Sequence, residues 1–247
     1  MTVWAIILAF QERDIIPFTL RHYTSFCDRV TVYDAGSTDG TREICAEYGA
    51  EVVDWKTDGV NDILAKKVKE TAWHGTDFDW VMPCDADELF YFPQGGLNTL
   101  QAYDAAGVAV VKPHGFEMVS DVFPTTDRQL YDEVKFGGRD DKWYAKSFFS
   151  PKRVKTVTYS AGAHSIEGVL SDGRRFGNPT APNDPPTYML HCKHLGPVER
   201  IAKKYDVQRT RLSPTNVKGR FGNFEKGSKH ARDKRAAIMK TYQQVIP

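Results

Sequence analysis

The densest group of hard oxygen donors in this 247-residue chain is Asp85-Ala86-Asp87-Glu88, which follows the apolar run Trp80–Pro83 almost without a break. Two carboxylates at i and i+2 on one turn can converge on a single hard cation. Mg²⁺ and Mn²⁺ take oxygen ligands, keep open coordination positions and bridge phosphate groups. A calcium loop does not fit, because its sixth position requires glycine and here holds Phe90. Taken alone, a solvated acidic turn explains an Asp-x-Asp equally well. A second chemical segment, Asp34-Ala35-Gly36-Ser37-Thr38-Asp39-Gly40-Thr41, follows the β-branched run Arg29–Tyr33. Asp34 can accept hydrogen bonds from a nucleobase or ribose, and the glycines let backbone approach a ligand closely. A strand-to-helix turn capped by Ser37 or Asp39 is the structural alternative.

Both segments sit where alternating elements would place them. Val3–Phe10 is a continuous apolar run and reads as a strand buried on both faces. Ile15–Phe26 has helical spacing, Arg29–Tyr33 is a strand, and a helix through Tyr48 ends at Gly49. Glu51–Trp55 reads as strand, Asn61–Trp73 as helix and Trp80–Pro83 as strand. This alternation predicts an α/β fold with a mostly parallel central sheet flanked by helices. Asp34 and the Asp85 turn then share the carboxyl edge of the sheet, where open α/β sheets bind ligands.

Apolar strand, Gln11-Glu12-Arg13-Asp14, DAGSTDGT and WVMPCDADELF, in that order, resemble the family-2-like glycosyltransferases of the GT-A fold. The resemblance covers about Val3–Phe92; Gln11 stands where that family usually has Asn, while Glu12 is kept. It implies a metal-dependent transfer of a sugar from a nucleotide-diphosphate sugar, with UDP-sugars favoured and Mn²⁺ or Mg²⁺ as cofactor. Carried over by position, Glu12 and Asp34 contact base and ribose, Asp85 lies near ribose and metal, and Asp87 ligates the metal. The segment Tyr188–Leu195 resembles a late histidine element of related enzymes, which makes His191 the candidate third ligand and His164 its alternative. Lys193, Lys203 and Lys204 are candidates to neutralise a diphosphate. An inverting transfer also needs a carboxylate to deprotonate the acceptor, for which Asp140 and Glu117 are candidates. Trp143 and Tyr144 suit stacking on a sugar ring.

After Phe92 the rhythm is lost. Gly107–Lys112 is strand-like, Asn178–Pro186 reads as a loop able to cover a site, and Gly219–Ser228 is glycine-rich and basic. Helical spacing returns from Pro197, and a last helix is predicted from Ser228 to Gln244. The organisation expected is a catalytic domain over 1–195, with a nucleotide-binding half 1–92 and an acceptor half 93–195. A basic helical extension over 196–247 completes it.

Composition bounds the rest. With 41% hydrophobic and 26% charged residues, collagen-like and wholly disordered classes are excluded. The four cysteines have no Cys-x-x-Cys spacing, which excludes a zinc ribbon and fits a reduced, cytoplasmic protein. The first apolar run has no basic region before it and is far short of the roughly 20 residues that span a bilayer. The net charge of +1 hides a division, since His191–Pro247 carries 14 Lys and Arg against 4 Asp and Glu. That tail points to a polyanionic acceptor or a membrane surface. Two other readings compete. A haloacid-dehalogenase-like phosphatase carries Asp-x-Asp on its first strand, which leaves DAGSTDGT unexplained; a nucleic-acid or acidic-polymer binder would act through the tail.

Overall fold

The computed structural model describes residues 1–125, 127–179, 184–220 and 227–247. The first part of the chain runs β1 (Val3–Ala9), α1 (Ile16–Thr24), β2 (Arg29–Asp34), α2 (Thr41–Glu47), β3 (Glu51–Asp54), α3 (Asp62–Thr71), β4 (Trp80–Asp85) and β5 (Glu88–Tyr91). Then follow α4 (Gly96–Ala105), β6 (Val110–Val111), β7 (His114–Ser120), α5 (Leu130–Glu133), β8 (Phe136–Arg139), β9 (Phe148–Phe149) and β10 (Val154–Tyr159). The last part holds β11 (Ile166–Leu170), β12 (Arg175–Phe176), β13 (Tyr188–Leu195), α6 (Val198–Thr210), α7 (Pro214–Gly219), α8 (Gly227–Ile238) and β14 (Tyr242–Gln244).

The fold is α/β, with a six-stranded sheet ordered β3-β2-β1-β4-β9-β6. Its first four strands are parallel; β9 and β6 add antiparallel pairings at one side. β1 lies inside this sheet because all seven of its residues are apolar and buried on both faces. Register fixes the chemistry. Ala9 pairs with Asp34 on one side of β1, and Leu8 pairs with Asp85 on the other, so both carboxylates emerge at one sheet edge.

A second, five-stranded sheet runs β14-β8-β7-β13-β5. Only two residues, Ala86 and Asp87, separate β4 from β5, so the acidic segment is the crossing between the two sheets. β13 pairs antiparallel with β5 and parallel with β7, which sets His191 between Glu88 and Glu117. A three-stranded meander, β10-β11-β12, packs with Trp4, Ile6 and Val81 in a core of its own. α6 and α8 share a small core of Ile201, Ala202, Tyr205 and Ala231.

One expectation is corrected. The last helix stops at Ile238, and a 3₁₀ turn leads into β14, which pairs with β8. Val245 and Ile246 behind it are buried, so edge pairing and apolar burial win over continued helix. Of the loop predicted at 178–186, positions 180–183 lie outside the described residues, as do 221–226 of the basic glycine-rich stretch. Among the described residues no helix is long and apolar enough to cross a membrane.

Candidate active site

A cleft of about 860 Å³ opens at the carboxyl edge of the six-stranded sheet. Phe10, Glu12, Ala35, Trp55, Asp85 and Asp87 line one wall, from the strand ends and the loops after them. His191 and Lys193 of β13 join them, and α6 contributes Arg200, Lys203 and Lys204. The basic end of the chain therefore faces the acidic sheet edge across the cleft.

The two aspartates of the crossing are held differently. Asp85 Oδ1 accepts from Lys69 Nζ of α3 at 2.6 Å, and Oδ2 accepts from Lys146 Nζ. Lys146 also reaches Glu88 Oε1 at 2.8 Å, while Glu88 Oε2 accepts from the backbone N–H of Asp85 at 2.8 Å. The two lysine side chains are only 3% and 4% exposed. Burial would raise the Asp85 carboxyl, but the two ammonium groups hold it well below the usual carboxylate range. Burial likewise opposes the charge on Lys146, and Asp85 and Glu88 more than reverse it.

Asp87 and Glu12 share a single ammonium. Lys204 Nζ of α6 lies 3.0 Å from Asp87 Oδ2 and 2.9 Å from Glu12 Oε2, and its side chain is 19% exposed. Burial of Asp87 is outweighed by Lys204, His191 and Lys193, which hold its carboxyl well down. Glu12 goes the other way. Its burial, with Asp87 adding repulsion, pushes it up to about 6 against the pull of Lys204.

Glu117 holds the histidine in place. Its Oε2 contacts His191 Nδ1, and its Oε1 accepts the N–H groups of Lys193 and His194, each at 3.1 Å. Glu117 is buried, with both oxygens engaged, so its place in the structure is behind His191, away from solvent. Burial disfavours the imidazolium, yet contact with Glu117 pushes His191 up to about 9. Nε2 of His191 points toward Glu88, 3.9 Å away, and the Tyr144 ring stacks on the imidazole at 5.7 Å. Such a carboxylate–histidine pair orients an imidazole whose other nitrogen can serve a metal.

The remaining predicted residues are dispersed. Asp34 is buried beneath the cleft; its Oδ2 accepts from the N–H groups of Gly36 and Ser37 and from Arg42, and Oδ1 has no partner among the described residues. His164 is half-buried, its Nδ1 has no partner among the described residues, and burial drops it to about 3. It meets Trp143 edge-on at 5.4 Å. Asp140 Oδ1 caps its own loop by accepting from Lys142 and Trp143 N–H. Lys193 Nζ donates to Gln208 Oε1 at 2.8 Å and lies over the Tyr205 ring. Sequence reasoning did not find Lys69, Lys146 or Arg42, and it gave Lys204 a phosphate where the structure gives it two carboxylates.

No protein-family model matches the chain, and no curated protein matches it. Solved structures do. Mannosyl-3-phosphoglycerate synthase from Rubrobacter xylanophilus matches at 23% identity and a TM-score of 0.37, over 51% of this chain and 43% of that one. Glucosyl-3-phosphoglycerate synthase from Mycobacterium tuberculosis, in complex with Mn²⁺, UDP and glucosyl-3-phosphoglycerate, matches at 21% and 0.28, over 36% of this chain and 34% of that one. The same enzyme with Mn²⁺, UDP-glucose and phosphoglyceric acid matches at 19% and 0.34, over 47% and 44%. The matched part is less than half the length of each of these proteins.

Proposed function

We propose that this chain is a metal-dependent glycosyltransferase that moves a sugar from a nucleotide-diphosphate sugar, UDP-sugars first, to an acceptor hydroxyl. The observation that carries the reading is the opposition across one cleft. Carboxylates from the ends of β1 and β4 line one wall, and Lys193, Arg200, Lys203 and Lys204 line the other. A diphosphate bridged to a cation has this division of charge.

The donor set suits Mn²⁺ or Mg²⁺. Asp87 and Asp85 supply hard oxygens, and His191 an imidazole oriented by Glu117. Among the described residues no group of three His, Cys, Asp or Glu side chains is gathered tightly enough to hold an ion, because lysines stand between the carboxylates. When bound, such a cation stabilises the charge that develops on the leaving diphosphate. The chain's own residues do the rest. Lys193 and Lys203 meet the diphosphate, Glu12 and the Asp34 loop meet the nucleoside, and Asp140 takes the proton of the acceptor hydroxyl. Tyr144, already stacked on His191, offers a face to a sugar ring. The division into a catalytic part over 1–195 and a basic extension fits this arrangement, with α6 as the far wall of the donor cleft. A polyanionic acceptor is the class the basic tail favours.

The test is a screen of UDP-, GDP- and CMP-sugars with Mn²⁺, read as binding and slow donor hydrolysis. One donor should respond, and Asp87→Ala should lower its turnover by about 10²–10³-fold, the scale of losing a main electrostatic contact. No response to any donor, with Asp87→Ala equal to the parent, would remove the proposal. The phosphatase alternative requires a free carboxylate nucleophile. Asp85, the candidate, has one oxygen on each of two lysines.

A further inference from the structure

Lys204 stands in the gap between Glu12 and Asp87, two carboxylates brought together from β1 and from the β4–β5 crossing. An ammonium on Asp87 Oδ2 holds the oxygen that a divalent cation would take, and the two charges repel each other there. Lys69 and Lys146 have no such freedom: both are sunk below the surface with their ammonium groups on Asp85, and Lys146 also holds the buried Glu88. Lys204 is different. It stays partly exposed, on a flexible four-carbon stem, and shares its cleft with Lys193, Lys203 and Arg200. An anion entering that cationic wall would draw its ammonium off the carboxylates.

We propose that Lys204 is a tethered counter-ion that keeps divalent cations off Asp87 until a nucleoside diphosphate draws it away, so that cation and nucleotide bind cooperatively. The exclusion of cations rests on the geometry alone; the coupling to nucleotide rests on the donor reading above. The coupling is reciprocal, so whatever factor the nucleotide adds to cation affinity, the cation adds to nucleotide affinity. Lys204 thereby sets the order of events without touching the reacting bond. Removing its charge uncouples the two ligands.

The experiment is Mn²⁺ binding to the full chain, read by the electron paramagnetic resonance of free Mn²⁺, with and without UDP. Lys204→Met should bind Mn²⁺ alone about tenfold tighter than the parent, and Lys204→Arg should resemble the parent. Adding Asp87→Asn to Lys204→Met should abolish the gain, which places the ion on Asp87. UDP should raise Mn²⁺ affinity in the parent by about tenfold or more, and much less in Lys204→Met. Thermal unfolding of each variant confirms a folded protein. If Lys204→Met binds Mn²⁺ no tighter than the parent, the inference is overturned even where nucleotides bind. If UDP, GDP and CMP all leave Mn²⁺ binding unchanged in the parent, the donor reading and the coupling fall together. Exclusion then stands on the tighter Mn²⁺ binding of Lys204→Met alone.

Discussion

Asp85 and Asp87 are separated by one residue, yet they belong to two different electrostatic regions. Around Asp85, two carboxylates, its own and that of Glu88, meet two buried ammonium groups. Around Asp87, two carboxylates, its own and that of Glu12, share the ammonium of Lys204. Both aspartates line the cleft, but the first region is matched in charge and its two ammonium groups are sunk below the surface, whereas the second is short of positive charge and its one ammonium is partly exposed. Burial of the ammonium groups explains the division of labour. A buried ammonium must stay matched within the fold or the fold loses stability, whereas a partly exposed one can exchange its partners for a ligand. The Asp85 region is therefore built for position and the Asp87 region for exchange.

The contrast is broken most directly at Lys146. Lys146→Met should destabilise the protein by about 3–5 kcal/mol in urea unfolding, because Glu88, 3% exposed, is left buried without its ammonium partner. A loss below about 1 kcal/mol would mean that water reaches Glu88 once the ammonium is gone.

Glu12 probes the other region through pH. Its carboxyl is raised from 4.5 to about 6, so the stability linked to its protonation is fully present below pH 4.5 and lost as pH rises through 6. Glu12→Gln should therefore match the parent below pH 4.5 and exceed it at pH 7 by about 2 kcal/mol. Asp85 has the opposite sign. Held low by two lysines, it adds stability above the usual carboxylate range and loses it as pH falls below that range. A Glu12→Gln variant with no pH-dependent gain would erase the contrast.

Lys204→Met sharpens the same point from the cation side. It should cost about 1–2 kcal/mol in metal-free buffer, less than Lys146→Met although Asp87 and Glu12 are 10% and 16% exposed, since Glu12 is free to take up a proton in place of its partner. The smallest effect belongs to Asp14→Asn. Asp14, paired with Arg200, is 63% exposed, so stability should shift by no more than about 0.5–1 kcal/mol, and added salt should shrink even that.

The legible part of this molecule ends at the acidic crossing; β5 just beyond it, Glu88–Tyr91, is a strand the sequence reading does not anticipate. Up to the crossing each strand is an apolar or β-branched run, and β1 and β4 turn out buried along their apolar lengths. The second sheet gives no such signal. β7 carries a buried Glu117 in mid-strand, and β8 is Phe-Gly-Gly-Arg, which reads as a turn. Those glycines serve close approach: a Cβ on Gly137 would lie 2.5 Å from the Glu117 carbonyl oxygen, and one on Gly138 would lie 2.4 Å from that of Ile238. The acidic residues of the site were visible because they stand in one motif. Their lysine partners were not, being 16, 61 and 117 residues distant in the chain. No local pattern announces a pairing made by tertiary structure.

The short crossing between the sheets acts as a reading frame. Side chains on a strand alternate faces, so one residue inserted between Asp87 and Glu88 would slip β5 against β13 by one position. Glu88 would then move opposite Leu190, off the face it shares with His191, and the inserted residue would take its place opposite the histidine. Asp87 and the histidine strand, although about a hundred residues apart in the chain, are thus kept in phase by two residues of backbone. Length at this point is as much a part of the site as the carboxylates themselves.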